Sequence, residues 1–282
     1  VNLGRLLAAV RQRLERRGVA DAPLEAEIMA RHVLDMDRAG LHAQPERPVS
    51  PREEAAVEAL AERRARGEPS SYITGHRWFY GLDFLVAAGV LVPRPETELL
   101  VDVAVGVING SGSDYRTAAD IGTGSGVIAV CLAHLVPNLA VIATDISEQA
   151  LDIARSNAGR HGVAERVTLC QGDLLEPLVE PVDIICANLP YVKRGDLPPG
   201  GPLSYEPRLA LDGGPDGLDV LRRFVPQIAP KLRPGGCLVV EVGAGQAKKV
   251  LAILERELPP GGFNVHRDLA GHERVIEYRL TG

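Results

Sequence analysis

Several short runs of this chain carry residue types that could do chemistry together. Asn188-Leu189-Pro190-Tyr191 follows the apolar run Val182-Asp183-Ile184-Ile185-Cys186-Ala187. It offers an amide oxygen on Asn188, a backbone carbonyl on Leu189 held by the proline after it, and the flat ring of Tyr191. Two acceptors side by side match the two hydrogens of a planar NH2 group, and a ring can pack against the plane that carries it. Upstream lies Asp120-Ile121-Gly122-Thr123-Gly124-Ser125-Gly126, where backbone N–H groups and missing side chains let a ligand come close. It is not a dinucleotide fingerprint, because the sixth position counted from Gly122 is Val127 rather than Gly or Ala. Asp145 closes the run Ala140–Thr144, about twenty residues past the loop, where a carboxylate can accept from two ribose hydroxyls. Either Asp145 or Ser147 could also cap the helix that begins near Glu148. A third run ends in Gln171-Gly172-Asp173-Leu174, where Asp173 could accept from an adenine amino group and Leu174 could wall the ring. Together these tips point to an adenosine-bearing cofactor.

For such residues to meet, the runs that precede them must be neighbouring strands. From residue 98 onward the pattern alternates: helices are expected at 98–108, 125–135, 147–161, 216–232 and 245–258. Strands are expected at 118–121, 139–144, 166–170, 182–187 and 237–242, with two closing strands at 263–268 and 273–280. Alternation of this kind predicts an α/β fold, a seven-stranded and mostly parallel doubly wound sheet with its ligand at the carboxyl ends of the strands. The last two strands are joined by a turn at Gly271 and so form a terminal antiparallel hairpin. Residues 1–67 read as a small N-terminal helical bundle of three helices. Leu3, Leu6, Leu7, Val10 and Leu14 form one stripe; Pro23 opens the second helix, and Ser50-Pro51 starts the third. Residues 68–97 read as a β-hairpin linker, rich in Tyr72, Trp78, Phe79, Tyr80 and Phe84, with Ala87-Ala88-Gly89 at its turn. Residues 98–282 form the remaining, catalytic domain. The stretch 195–202, rich in Gly and Pro, reads as a mobile lip over the site.

The chain has 282 residues, 45% hydrophobic and 24% charged, the balance of a globular protein large enough for two domains. No run reaches the roughly 18 apolar residues of a membrane span, and charges interrupt the N-terminal apolar run, so no signal peptide is expected. Net charge is −6; residues 1–80 carry 13 Lys or Arg against 12 Asp or Glu, and the rest 18 against 25. Neither part is a basic platform, which counts against a nucleic-acid partner. Cys131, Cys170, Cys186 and Cys237 are far apart, without a CxxC pair or a His at ligand spacing. They read as free thiols in a reducing cytoplasm, and no metal site is expected.

With these motifs in order, the chain resembles the class I S-adenosylmethionine-dependent methyltransferases. Within them it resembles the peptide chain release factor glutamine N5-methyltransferases, the PrmC/HemK family. The resemblance rests on Tyr72-Ile73-Thr74-Gly75, Phe79-Tyr80-Gly81-Leu82, Val92-Pro93-Arg94-Pro95-Glu96-Thr97-Glu98 and the loop Gly122–Gly126. Asn188–Tyr191, Glu206-Pro207-Arg208-Leu209-Ala210-Leu211 and Asp268-Leu269-Ala270-Gly271 also match. It implies methylation of the glutamine side-chain nitrogen in the Gly-Gly-Gln motif of class 1 release factors. It further implies that Gly122, Thr123, Gly124, Ser125, Gly126 and Asp145 hold S-adenosylmethionine, that Asn188, Leu189, Pro190 and Tyr191 hold the glutamine, and that Asn188 touches both. A cytoplasmic monomer is expected, with the helical domain recognising the release factor. The family's commonest turn is Asn-Pro-Pro-Tyr; Leu189 stands at its second position, keeps the carbonyl and gives up some rigidity. Asn-Leu-Pro-Tyr also resembles the turn of adenine-N6 methyltransferases acting on RNA or DNA, which is the competing reading. A dehydrogenase that binds NAD, or a silent cofactor-binding module, is a third. Arg94 and Glu96 are as well explained by an ion pair or a helix cap as by a substrate role.

Overall fold

The computed structural model describes residues 1–110 and 115–281. The chain forms two compact units, one of Val1–His76 with Pro198–Tyr205 and the other of Arg77–Leu197 with Glu206–Gly282.

The first unit is helical. Helices α1 (Leu3–Arg16), α2 (Ala22–Leu34), α3 (Arg38–Ala43), α4 (Pro51–Ala65) and α5 (Ser70–Thr74) follow in order. Leu3, Leu6, Val10 and Leu14 are the buried stripe of α1, and they pack with Met29, Ala30, Leu41, Val57, Ala61 and Ile73. Ser50 starts α4 with a reciprocal cap: its hydroxyl accepts from the Glu53 N–H at 3.2 Å, and the Glu53 carboxylate accepts from the Ser50 N–H at 2.8 Å. Two short helices, α3 and α5, add to the three expected from periodicity, being too brief to show a stripe of their own. The stretch expected as a lip belongs in part to this unit. Tyr205 donates its hydroxyl to the Arg66 carbonyl at 3.2 Å, and a Cβ on Gly67 would meet the Gly201 Cα at 3.4 Å.

Strands β1 (His76–Phe79) and β2 (Leu82–Leu85), which but for His76 belong to the second unit, make a two-stranded sheet. Its turn is Tyr80-Gly81, with both residues at positive φ (51° and 73°), not the expected Ala87-Ala88-Gly89. A two-residue hairpin turn of this hand matches strand twist, and the tyrosine is held in it from outside. Glu98 accepts from its N–H at 2.7 Å and Asp102 from its hydroxyl at 2.7 Å. Then follow α6 (Thr97–Gly110), β3 (Thr117–Ile121), α7 (Val127–Leu135), β4 (Ala140–Asp145), α8 (Glu148–Arg160), β5 (Val167–Gln171) and β6 (Val182–Ala187). The chain closes with α9 (Asp219–Ile228), β7 (Leu232–Glu241), α10 (Ala247–Glu257), β8 (Gly261–Arg267) and β9 (Glu273–Leu280). The expected helix 216–232 is shorter than its pattern, and β7 begins five residues before position 237, with a register shift against β6 between Val182 and Ile184.

The large sheet has seven strands in the order β5-β4-β3-β6-β7-β9-β8. Strands β3 to β7 run parallel, and β9 is antiparallel to β7 and β8. Strand β6 is buried along its whole length; Ile184 and Cys186 enter the core with α6 and α7, while Ile185 and Ala187 enter the core with α9 and α10. The chain runs outward from β3 to β5 and then returns to β6, so strand order reverses between β3 and β6. In an open parallel sheet that reversal leaves a crevice at the carboxyl ends. Ile121 of β3 lies beside Ala187 of β6, so Gly122 and Asn188 leave adjacent strand tips.

Candidate active site

A cavity of about 300 Å³ opens at this crevice. Gly122, Gly124, Asp145, Asp173, Leu174, Asn188, Leu189 and Pro190 all line it, so the strand tips singled out in the sequence do converge. Thr123, Ser125, Gly126 and Tyr191 do not line it, and each does something else.

The loop after β3 is built for a close turn. Gly122 and Thr123 both donate their N–H to the Thr144 carbonyl at 2.9 Å. Gly124, at φ 54°, has open space where a Cβ would stand and lines the cavity. Gly126, at φ 82°, has Ala154 of α8 where its Cβ would be, 3.0 Å from that side chain, so here the missing side chain serves packing. The Thr123 hydroxyl donates to Asp120 Oδ2 at 2.6 Å, and the Ser125 carbonyl accepts from Asn157 Nδ2 at 2.8 Å. Asn157, fully buried on α8, also exchanges hydrogen bonds with the backbone of Leu85, and so ties β2 to the loop. Periodicity alone gave no reason to select it; an amide among Ala150, Leu151, Ala154 and Ala158 on a buried face was the available signal.

Asp145 is held by the backbone. Its Oδ2 accepts from Gly124 N–H and its Oδ1 from Ser147 N–H, each at 2.9 Å. Ser147 itself caps α8, accepting from Ala150. A carboxylate oxygen can accept more than one hydrogen bond, so Asp145 keeps capacity toward the cavity it lines. Asp173 forms an ion pair with Arg223, which also lines the cavity. Leu174 is buried at φ 52°, and its carbonyl takes the Thr144 hydroxyl at 2.9 Å.

Asn188 donates from Nδ2 to the Thr97 hydroxyl at 3.0 Å. Leu189 is buried, with its Cδ2 3.5 Å from where a Gly122 Cβ would lie. The leucine thus packs the turn onto the loop. The Tyr191 hydroxyl donates to Glu241 Oε1 at 3.2 Å, and its carbonyl accepts from Gln246 at 2.9 Å. Burial, with the nearby Glu241 charge, pushes its phenol well above the ordinary range. Glu241 ends β7 and is buried; burial pushes its carboxyl up to about 7, against hydrogen bonds from Thr97 and Tyr191. Asp120 is fully buried and burial likewise raises it to about 7, against hydrogen bonds from Thr123 and the Ala129 N–H. Thr97, Glu241 and Asp120 were not among the residues selected for a ligand role.

Two segments border the cavity mouth, 89–91 and 207–210. Glu206 joins them, accepting from Arg94 at 2.5 Å and from the Val92 N–H at 3.0 Å. Arg94 is therefore a structural ion-pair partner, with its acid almost wholly buried.

Solved structures with the same sheet define the class. The chain superposes on a methyltransferase from Pyrococcus furiosus with a TM-score of 0.53 at 16% identity, over 72% of this chain and 91% of that one. The hMettl16 catalytic domain in complex with MAT2A 3'UTR hairpin 6 gives 0.55 at 14% identity, over 83% of each chain. These likenesses are of fold, and the fold is that of the class I methyltransferases. Residues 5–75 match the PrmC N-terminal domain, and residues 98–198 match the methyltransferase small domain. The release factor glutamine methyltransferase of Moorella thermoacetica is 44% identical over 99% of both chains. That of Geobacter sulfurreducens is 43% identical over 95% of this chain and 93% of its own. The chain belongs to the release factor glutamine methyltransferase family.

Proposed function

We propose that this enzyme methylates the side-chain amide nitrogen, N5, of the glutamine in the Gly-Gly-Gln motif of class 1 peptide chain release factors, with S-adenosylmethionine as donor. The observation that carries the reading is the state of Asn188. Its NH2 end is taken by Thr97, which leaves Oδ1, among the described contacts, as the free end of an amide that lines the cavity, with Leu189 and its carbonyl following in the chain. Two neighbouring acceptors suit a primary amide, whose two N–H groups they can take together.

The cavity fits the proposed donor. It reaches the lower end of the range typical of small-molecule sites, has Gly124 open toward it, Asp145 on its rim and Leu174 in its wall. Gly122, Gly124, Asp145, Asp173 and Leu174 would hold the adenosyl group. When bound, S-adenosylmethionine supplies a methyl group made electrophilic by its sulfonium. The chain's own task is then orientation. A carboxamide nitrogen is a poor nucleophile because its lone pair is delocalised; Asn188 Oδ1 and the Leu189 carbonyl hold its two hydrogens and so aim what lone-pair density it has. Positioning of this sort lowers a barrier by several kcal/mol. The N-methylated nitrogen is cationic and strongly acidic after transfer and releases one proton to water, so a base with a tuned pKa is not required. The helical unit, Val1–His76 with Pro198–Tyr205, is the surface proposed to recognise the release factor, and the second unit is proposed to carry the chemistry, in the cytoplasm.

Incubation with labelled S-adenosylmethionine and a recombinant release factor tests the reading directly. Transfer is expected to the wild-type factor and to be absent when its motif glutamine is replaced. Asn188→Ala is expected to lower kcat roughly a hundredfold or more, with cofactor affinity little changed. Near-normal turnover in that variant, or transfer to RNA and not to the factor, overturns the proposal.

A further inference from the structure

The groups behind Asn188 suggest how its amide is kept the right way round. We infer that Thr97 is a positioning residue of this site: its hydroxyl, oriented by Glu241, fixes the Asn188 amide so that Oδ1 faces the substrate. The inference rests on the reading that Asn188 accepts from the substrate amide.

A carboxamide side chain has nearly the same shape when its O and NH2 exchange places. Turned one way, Asn188 accepts from the glutamine. Turned the other, it sets NH2 against NH2, two donors with nothing between them. The side chain cannot make this choice from shape, so a neighbour must. Thr97 is the neighbour, 3.0 Å from Nδ2 and almost fully buried as the first residue of α6. Its backbone is fixed too, since its N–H bonds to the Arg94 carbonyl at 3.1 Å.

A hydroxyl alone would leave the choice open, because it can accept from Nδ2 or donate to Oδ1. Glu241, when ionised, removes that freedom, because a carboxylate can only accept. Its carboxylate, at the end of β7, hydrogen-bonds with the Thr97 hydroxyl and accepts from the Tyr191 hydroxyl at 3.2 Å. Once the Thr97 hydrogen points to Glu241, only the oxygen lone pairs are left for Asn188, and only the NH2 end of the amide satisfies them. All the donors then run one way, from Asn188 through Thr97, and from Tyr191, to one carboxylate. The last residue of the substrate turn and the first are thus oriented by the same acid.

Discriminating variants are Thr97→Val, which keeps the shape and loses the hydroxyl; Thr97→Ser, which keeps the hydroxyl; and each with or without Asn188→Ala. The readouts are methyl transfer to a recombinant release factor and S-adenosylmethionine binding by calorimetry. Thr97→Val is expected to lower kcat roughly ten- to a hundredfold, with KM for the factor and cofactor affinity little changed. Thr97→Ser restores most of the rate, and Thr97→Val costs little more once Asn188 is alanine. Should valine disturb folding, seen as a lowered midpoint of urea unfolding, Thr97→Ala gives the same reading without the added methyl. Wild-type kcat in the variant, full multiplication of the two losses, or a loss confined to cofactor affinity overturns the inference. A wild-type rate in Asn188→Ala alone sinks the underlying reading instead, so the two failures are told apart.

Discussion

Two edges of one sheet treat buried carboxylates in opposite ways. At the amino edge, Asp183 near the start of β6 accepts from the Arg116 and Thr117 N–H groups and the Thr117 hydroxyl, each at 2.8 Å, and from Arg233 at 2.9 Å. Burial pushes it up, but these donors outweigh burial and hold it below the usual carboxylate range. At the carboxyl edge, Asp120 and Glu241 each have an oxygen that is buried and without a hydrogen-bond partner. Both are pushed up to about 7. A saturated carboxylate holds a fold together. An undersaturated one is costly where it stands, and its occurrence at the ligand-facing edge of this sheet marks where stability has been given up.

The sharpest way to break this contrast is Asp183→Ala. Removing a saturated buried acid takes the acceptor from two backbone N–H groups and the Thr117 hydroxyl, and is expected to cost on the order of 3 kcal/mol in urea unfolding while leaving kcat per folded molecule unchanged. A smaller effect is expected from pH. The folded chain holds protons on Asp120 and Glu241 that the unfolded chain has already released, so their contribution to stability falls as pH rises from about 4 to about 7 and is then flat. His161, pushed down by burial, works in the opposite direction near pH 6, so the useful quantity is the difference between proteins. Asp120→Asn is expected to reduce the loss of stability between pH 5 and pH 8 by on the order of 2 kcal/mol relative to wild type. An unchanged difference in midpoints would mean that Asp120 is ionised throughout. The smallest effect is expected for Tyr191→Phe, which deprives Glu241 of one donor and should cost about 1 kcal/mol, read from the same unfolding curves.

Much of the site was legible because it is local in sequence. Of the residues that line the cavity, Gly122, Gly124, Asp145, Asp173 and Asn188 each sit just past an apolar run, and parallel strands bring such positions to one edge. The support for Asn188 was not legible in that way. Thr97 is 91 positions from Asn188, and Glu241 is 50 from Tyr191, so no spacing links them. Glu241 did carry the signal used for Asp145, an acid closing an apolar strand, while attention within Val92–Glu98 fell on Arg94 and Glu96. The ring of Tyr191 is an option any aromatic after Asn-x-Pro offers, but the partner of its hydroxyl, Glu241, is one that no spacing displays. The hairpin turn was misplaced because Tyr80 needs outside hydrogen bonds to tolerate its φ, and the sequence does not display them.

The segment Pro198–Tyr205 has a consequence for the order in which the protein can be made. It belongs to the helical unit, yet it emerges more than a hundred residues after that unit's own helices. Until it does, Arg66 lacks its bond from Tyr205 and Gly67 lacks the backbone of Gly201 beside it. Synthesis from the N-terminus therefore delivers the bundle with all its core residues first, and the segment that covers Arg66 and Gly67 arrives only after β3 to β6 have been made.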